Sequence, residues 1–138
     1  EAKKFDQNID SWDVSKVTNF AQAFQNVPEF DQDISDWDVS SATDMNSMFD
    51  GAAAFDQDLS GWDVSKVTDM SYMFLRAGSF DQDLSGWCVT LIGSEPANFS
   101  TDAILWGNSA TGPDASGRAT SSLYWGQPVW GTCPSTDD

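Results

Sequence analysis

A chain of 138 residues is long enough for one domain that buries about two-thirds of its unfolded surface. Its 22 acidic against 6 basic residues give a net charge of −16, which argues against nucleic acid or anionic lipid as partners. There is no histidine, so the commonest general base and the commonest metal ligand are both missing, and no apolar run of about 18 residues could insert into a membrane. Without an initiator Met or a secretory signal, the chain reads as a processed or trimmed portion.

The chain then repeats itself. Phe5, Phe30, Phe55 and Phe80 share one spacing, as do Ile9, Ile34, Leu59 and Leu84. Trp12, Trp37, Trp62 and Trp87 follow it, and so do Val14, Val39, Val64 and Val89. Asp6, Asp31, Asp56 and Asp81 keep the same interval, each followed by Gln. The sequence of 55–62 recurs identically at 80–87. Residues 1–104 are therefore four 25-residue repeats, with a preceding repeat truncated at 1–4, because Glu1-Ala2-Lys3-Lys4 stands before Phe5 as Gly51-Ala52-Ala53-Ala54 stands before Phe55.

Within one unit, Leu59, Trp62, Val64 and Val67 form an L-x-x-W-x-V-x-x-V frame that parallels the leucine-rich repeat. The alternation of Trp62 and Val64 predicts a short strand. Thr68 then stands as an N-cap, and Met70, Met73 and Phe74 recur as a helical stripe. The expected fold class is α/β: a leucine-rich-repeat-like solenoid with a parallel sheet on one side, short helices on the other, and a C-terminal cap. The four tryptophans are expected to stack inside it.

The fourth unit departs from the frame. Cys88 replaces the Asp of positions 13, 38 and 63, and Glu95 and Pro96 stand where Met70 and Ser71 stood. Phe99 is expected to keep the register of Phe24, Phe49 and Phe74. Residues 105–138 read as the cap, with a Ser/Thr/Gly-rich loop at 107–122. Its aromatics Trp106, Tyr124, Trp125 and Trp130 either seal the core or offer a surface contact.

Stacking would put Asp6, Asp31, Asp56 and Asp81 in one column and Asp33, Asp58 and Asp83 in a second, about 5 Å apart along the stack. Like charges at that distance repel by roughly 1 kcal/mol per pair even in water. Either each carboxylate accepts backbone N–H groups while the Gln side chains pair along the stack, or Ca²⁺ bridges the columns. A third column, Asp13, Asp38 and Asp63, is expected on the exposed strand face. Acids that recur in every repeat form no unique catalytic constellation, and Cys88 has no histidine to activate it, so no enzyme is expected. The isolated pair Cys88 and Cys133 suggests a disulfide, the alternative being two buried thiols. Asn98-Phe99-Ser100 is a glycosylation sequon if the source is eukaryotic.

The run from Phe55 to Phe74 resembles the bacterial surface-protein repeat of 25–26 residues, the BspA-like class of leucine-rich repeats, and the resemblance covers about residues 1–104. It implies a secreted or cell-surface location and adhesive or structural work, with no shared catalytic residues. The expected function is a non-enzymatic extracellular protein that acts in adhesion or protein–protein binding, with an unknown protein or surface-glycan partner. The alternative is a structural subunit of an extracellular filament or matrix that self-associates end to end, because no N-terminal cap is visible before Phe5, Ile9, Trp12 and Val14: either further repeats precede them or a neighbouring molecule covers that end.

Overall fold

The computed structural model describes residues 5, 7–103 and 126–134. Among the described residues there is no helix and no sheet, and only isolated parallel bridges join Asn19 to Asp44 and Asp44 to Asp69. The expected α/β leucine-rich-repeat solenoid, with its sheet and its helices, is therefore not what this chain forms. The backbone is a succession of turns, and hydrogen bonds tie each turn to its counterpart one repeat further along.

The helix fails for a local reason. Met70, Met73 and Phe74 are fully buried, as the helical stripe required, and so is Ala77. Tyr72 and Arg76, however, have φ values of 61° and 58°, in the left-handed region that a right-handed helix cannot include. The Met73 N–H turns back to the Met70 carbonyl, and the Ala77 N–H to Phe74. Between them, Tyr72, Phe74 and Arg76 donate outwards, to the carbonyls of Ala97, Phe99 and Thr101 in the next repeat. A series of three-residue turns thus buries the same positions as a helix would. Gln22 and Asn26 repeat the left-handed pair in the first unit, and Ser47 and Gly51 in the second. At Gly51, whose φ is 74°, a side chain would meet the Asn26 Oδ1 at 2.9 Å and the Asn26 amide would have to shift, so glycine is favoured there.

The strand fails differently. Trp62 and Val64 point inside and Asp63 outside, as alternation demands. Yet the Trp62 N–H returns to Leu59 and the Val67 N–H to Val64, which leaves no backbone ladder along this side of the repeat. Side chains make the connection instead. The indole N–H groups of Trp37, Trp62 and Trp87 donate to the carbonyls of Ile9, Ile34 and Leu59, at 2.9–3.1 Å. Those three tryptophans are buried. Trp12, expected inside with them, lies in the first described repeat and is 58% exposed.

Phenylalanines fill the middle. Phe24 stacks on Phe30, Phe49 on Phe55 and Phe74 on Phe80, with centroids 3.9–4.2 Å apart. Each pair also stacks on the next, so the rings form a continuous apolar column flanked by Ile34, Leu59 and Leu84. Burying an aromatic ring of this size stabilises by roughly 2–3 kcal/mol.

The fourth repeat carries one extra residue. In the first two junctions an N–H reaches a carbonyl 24 positions ahead, from Phe24 to Met48 and from Phe49 to Met73. At the third junction it reaches 25 ahead, from Phe74 to Phe99. The left-handed positions step likewise, from Gln22, Ser47 and Tyr72 to Asn98, and from Asn26, Gly51 and Arg76 to Asp102. The insertion therefore lies between Ile92 and Asn98. It corrects the expected register of Phe99: the Phe99 N–H turns back to Pro96 as Met73 does to Met70, so Phe99 occupies the methionine place. Its ring meets Phe74 edge-on at 5.4 Å, whereas Phe24, Phe49 and Phe74 stack.

Residues 126–134 add a half-unit on the far side of the fourth repeat. Leu84 and Val89 donate to the carbonyls of Gly126 and Thr132, and Thr132 turns back to Val129 as Trp87 does to Leu84. Trp130 packs edge-on against Phe99 at 4.8 Å, which supports core sealing for this residue. Residues 1–4, Asp6, Ile104 and the rest of the cap at 105–125 and 135–138, including the 107–122 loop, Trp106, Tyr124 and Trp125, lie outside the described residues. The cysteines bond as expected: a Cys88–Cys133 disulfide spans 45 residues and pins the half-unit to the fourth repeat.

Candidate binding face

Repetition carries each acidic side chain into a column, and the columns are held in different ways. Asp31 Oδ1 accepts the Asp56 N–H at 3.0 Å and the Gln57 side-chain amide at 2.8 Å. Asp56 Oδ1 takes the equivalent pair from Asp81 and Gln82, both at 2.9 Å. Backbone capping with Gln pairing therefore forms along this column, and the donors of each repeat neutralise the acceptor of the one before. Asp81 ends the described ladder. Its Oδ1 is buried without a hydrogen-bond partner, and burial, then the charge of Asp56, push its pKa up.

The second column is self-contained. Asp33, Asp58 and Asp83 each accept the backbone N–H two residues on, from Ser35, Ser60 and Ser85. Asp13, Asp38 and Asp63 do the same with Ser15, Ser40 and Ser65, and in both columns serine hydroxyls donate as well, at 2.5–2.6 Å to Asp13, Asp33, Asp38, Asp63 and Asp83. These Asx turns reverse the chain locally. The serine hydroxyl first, then the serine N–H, hold the carboxyls of Asp13, Asp33, Asp38, Asp58 and Asp63 below the usual carboxylate range. Asp69 is lowered too, chiefly by the Ser71 N–H.

Asp6 lies outside the described residues, and among the described residues no group of three or more His, Cys, Asp or Glu side chains could hold a metal ion. Asn98 is exposed, and its Oδ1 accepts the Thr101 hydroxyl. One acid was missed by sequence reasoning. Asp50 is 5% exposed and receives the Arg76 guanidinium at 2.6 Å and the Gln25 amide at 2.9 Å. The spacing of 25 and 26 residues between these three was the available signal.

The lowered carboxyls set an acid limit. A carboxyl whose folded pKa is depressed contributes stability above its unfolded value and loses it as pH falls through the folded one. Asp81 has the opposite sign, since its charged form is penalised by folding. With six lowered groups against one raised, the urea midpoint is expected to be flat down to about pH 5 and to fall below about pH 4. A midpoint that climbed towards pH 3 would show that repulsion among the acids outweighs their caps.

The face can do one thing well. It presents carboxylates that are charged, fixed in orientation and spaced by one repeat, which suits a partner of opposite charge. No helix among the described residues is long and apolar enough to cross a membrane. No curated protein and no solved structure matches the chain at a significant level. A family model described as "Mycoplasma protein of unknown function, DUF285" matches residues 1–104, the whole of the four-repeat span. A match over that share of its length places the chain in this family.

Proposed function

We propose that the chain is a non-enzymatic, extracellular surface module that works in adhesion or protein–protein binding. The observation that carries this reading is the Asp13, Asp38 and Asp63 column: exposed carboxylates, each locked by its own serine and each repeated at the same place. Fixed charges lose little freedom on binding and steer an oppositely charged partner. The repeat letters from Phe55 to Phe74 support kinship with the BspA-like surface repeats in sequence and location, without the leucine-rich-repeat architecture. The disulfide suits an oxidising, extracellular setting. The backbone and Gln donors on Asp31 and Asp56 support hydrogen-bond capping over calcium at those two residues.

The test uses cytochrome c as a basic probe. Immobilised protein is expected to retain it at about 0.15 M salt, where long-range attraction is screened. The triple variant Asp13→Asn, Asp38→Asn, Asp63→Asn should lose most of that capture. Equal capture by the variant would remove the column from the account. Trp12, exposed beside the buried Ile9 and Val14, favours a second reading, a structural subunit that assembles end to end. Light scattering separates the two: the module stays near 15.1 kDa with rising concentration, and the filament does not.

A further inference from the structure

Each junction in the stack joins two different surfaces. On the side of the left-handed turns the earlier repeat donates amides and the later one accepts: Gln22, Phe24 and Asn26 reach the carbonyls of Asn46, Met48 and Asp50. On the side of the tryptophans the direction reverses, and the later repeat's indole donates back, as Trp37 does to the Ile9 carbonyl. A repeat therefore has a head, which offers carbonyls and an indole N–H, and a tail, which offers amides and an Ile or Leu carbonyl. Among the described residues one head and one tail stay unmatched. The head of the first repeat presents the carbonyls of Ala21, Ala23 and Gln25, none of which accepts a backbone amide, and Trp12, 58% exposed. The tail of the fourth presents the amides of Asn98, Ser100 and Asp102, which donate to no carbonyl. It also presents the Leu84 carbonyl, which accepts the Trp87 turn but, unlike Leu59, no indole.

The half-unit 126–134 lies on that tail without matching it. It takes the amides of Leu84 and Val89, whose counterparts Leu59 and Val64 donate to no backbone carbonyl. It brings Thr132 to the place where a repeat brings tryptophan, since Thr132 turns back to Val129 as Trp87 does to Leu84. Its side-chain links are the Gln127 amide on the Ser100 hydroxyl, at 2.8 Å, and Trp130 edge-on against Phe99. The remaining link is covalent, the Cys88–Cys133 disulfide, with Cys133 exposed and Cys88 half-buried. A half-unit that leaves three ladder amides unused is held as much by its latch as by its fit.

We propose that the half-unit is a disulfide-latched plug, and that opening the Cys88–Cys133 bond frees the fourth repeat's tail to receive the head of a second copy. The indole of Trp12 then donates to the Leu84 carbonyl of the other molecule. Asn98, Ser100 and Asp102 donate to Ala21, Ala23 and Gln25, in the register of Tyr72, Phe74 and Arg76 on Ala97, Phe99 and Thr101. A second copy is the occupant because its head carries, at Ile9, Trp12 and Val14, the frame that an internal tail receives as Ile34, Trp37 and Val39. Such a contact is heterologous, so copies add in an open row. The latch opens by exchange with a dithiol reductant. Its thiolate attacks the Cys133 Sγ and expels the Cys88 thiolate; its second thiol then displaces Cys133 and closes the reductant's own disulfide. Two electrons and two protons pass to the two cysteines. This rests on the end-to-end reading and names the partner and the condition for it.

Two proteins that cannot grow alone test it by sedimentation without reductant. Oxidised wild type has an open head and a latched tail. The variant Trp12→Ala, Cys88→Ser, Cys133→Ser has an open tail and a disabled head. Each is expected near 15.1 kDa alone, and an equimolar mixture is expected to form a pair of twice that mass and nothing larger. Restoring Trp12 in the cysteine-free variant should give rows that lengthen with concentration. Trp12→Phe, which lacks the indole donor, should weaken the pairing about threefold or more. Amide exchange on the variant reads the latch separately: Leu84 and Val89 should exchange fast while Phe49 stays protected. No pair despite an open tail, or equal growth with and without the indole, would overturn the docking. A tail still protected without the disulfide, or a stack that unfolds once the disulfide is gone, would overturn the latch. Rows formed by oxidised wild type would support end-to-end assembly while overturning the plug. A native chain whose intact mass includes a further repeat covering Trp12 would overturn the second copy as occupant.

Discussion

Phe49→Ala is expected to cost about 3–5 kcal/mol. Phe49 is fully buried and its ring meets four others: Phe24, Phe55, Phe74 and Trp62. Its backbone also joins a turn to the next repeat, since its carbonyl accepts the Ala52 N–H and its own N–H donates to Met73. The truncation leaves a void that turns cannot close, because the N–H groups of Ser47, Phe49 and Gly51 are committed to the next repeat. The cost should appear in the urea midpoint, and Phe49→Leu should recover more than half of it. A loss near 1 kcal/mol would mean that the stacked rings adjust independently, which continuous stacking forbids.

The double variant Cys88→Ser, Cys133→Ser is expected to lose about 4 kcal/mol, the chain-entropy value for a closed loop of 45 residues. Against a total stability of 5–15 kcal/mol for an ordinary domain, that is a large fraction. The loss should be uneven. The Leu84 and Val89 amides, which donate to Gly126 and Thr132, should exchange fast with solvent, while the Phe49 amide keeps most of its protection. Uniform loss across all repeats would show instead that the half-unit is needed to fold the whole stack.

How far the sequence revealed this depends on which physical choice is asked about. The inside and outside of each repeat were legible, because Phe, Trp, Ile, Leu and Val recur at one spacing and burial follows hydrophobicity. The backbone was not. The stripe Met70, Met73 and Phe74 is common to a helix and to a run of tight turns, and only the left-handed φ at Tyr72 and Arg76 decides between them. Neither residue type announces that conformation, unlike Gly51. The Asp caps were legible as an alternative to calcium, since an Asp followed two residues later by Ser is a turn former. The insertion near Glu95 was hidden because Phe99 still falls 25 residues after Phe74, and a phenylalanine in the methionine place reads as correct register. Asp50 was hidden because its partners Gln25 and Arg76 lie in other repeats. Trp12 reads identically to its three counterparts, although its exposure depends on what packs against it.

The stack of turns and its single slip can be read directly from scalar couplings through hydrogen bonds, between an amide nitrogen and the carbonyl carbon that accepts from it. Couplings should run from Phe24 to Met48, from Phe49 to Met73 and from Phe74 to Phe99, two steps of 24 residues and then one of 25. Couplings from each amide to the carbonyl four residues earlier would restore the helices, and a third step of 24 would remove the slip.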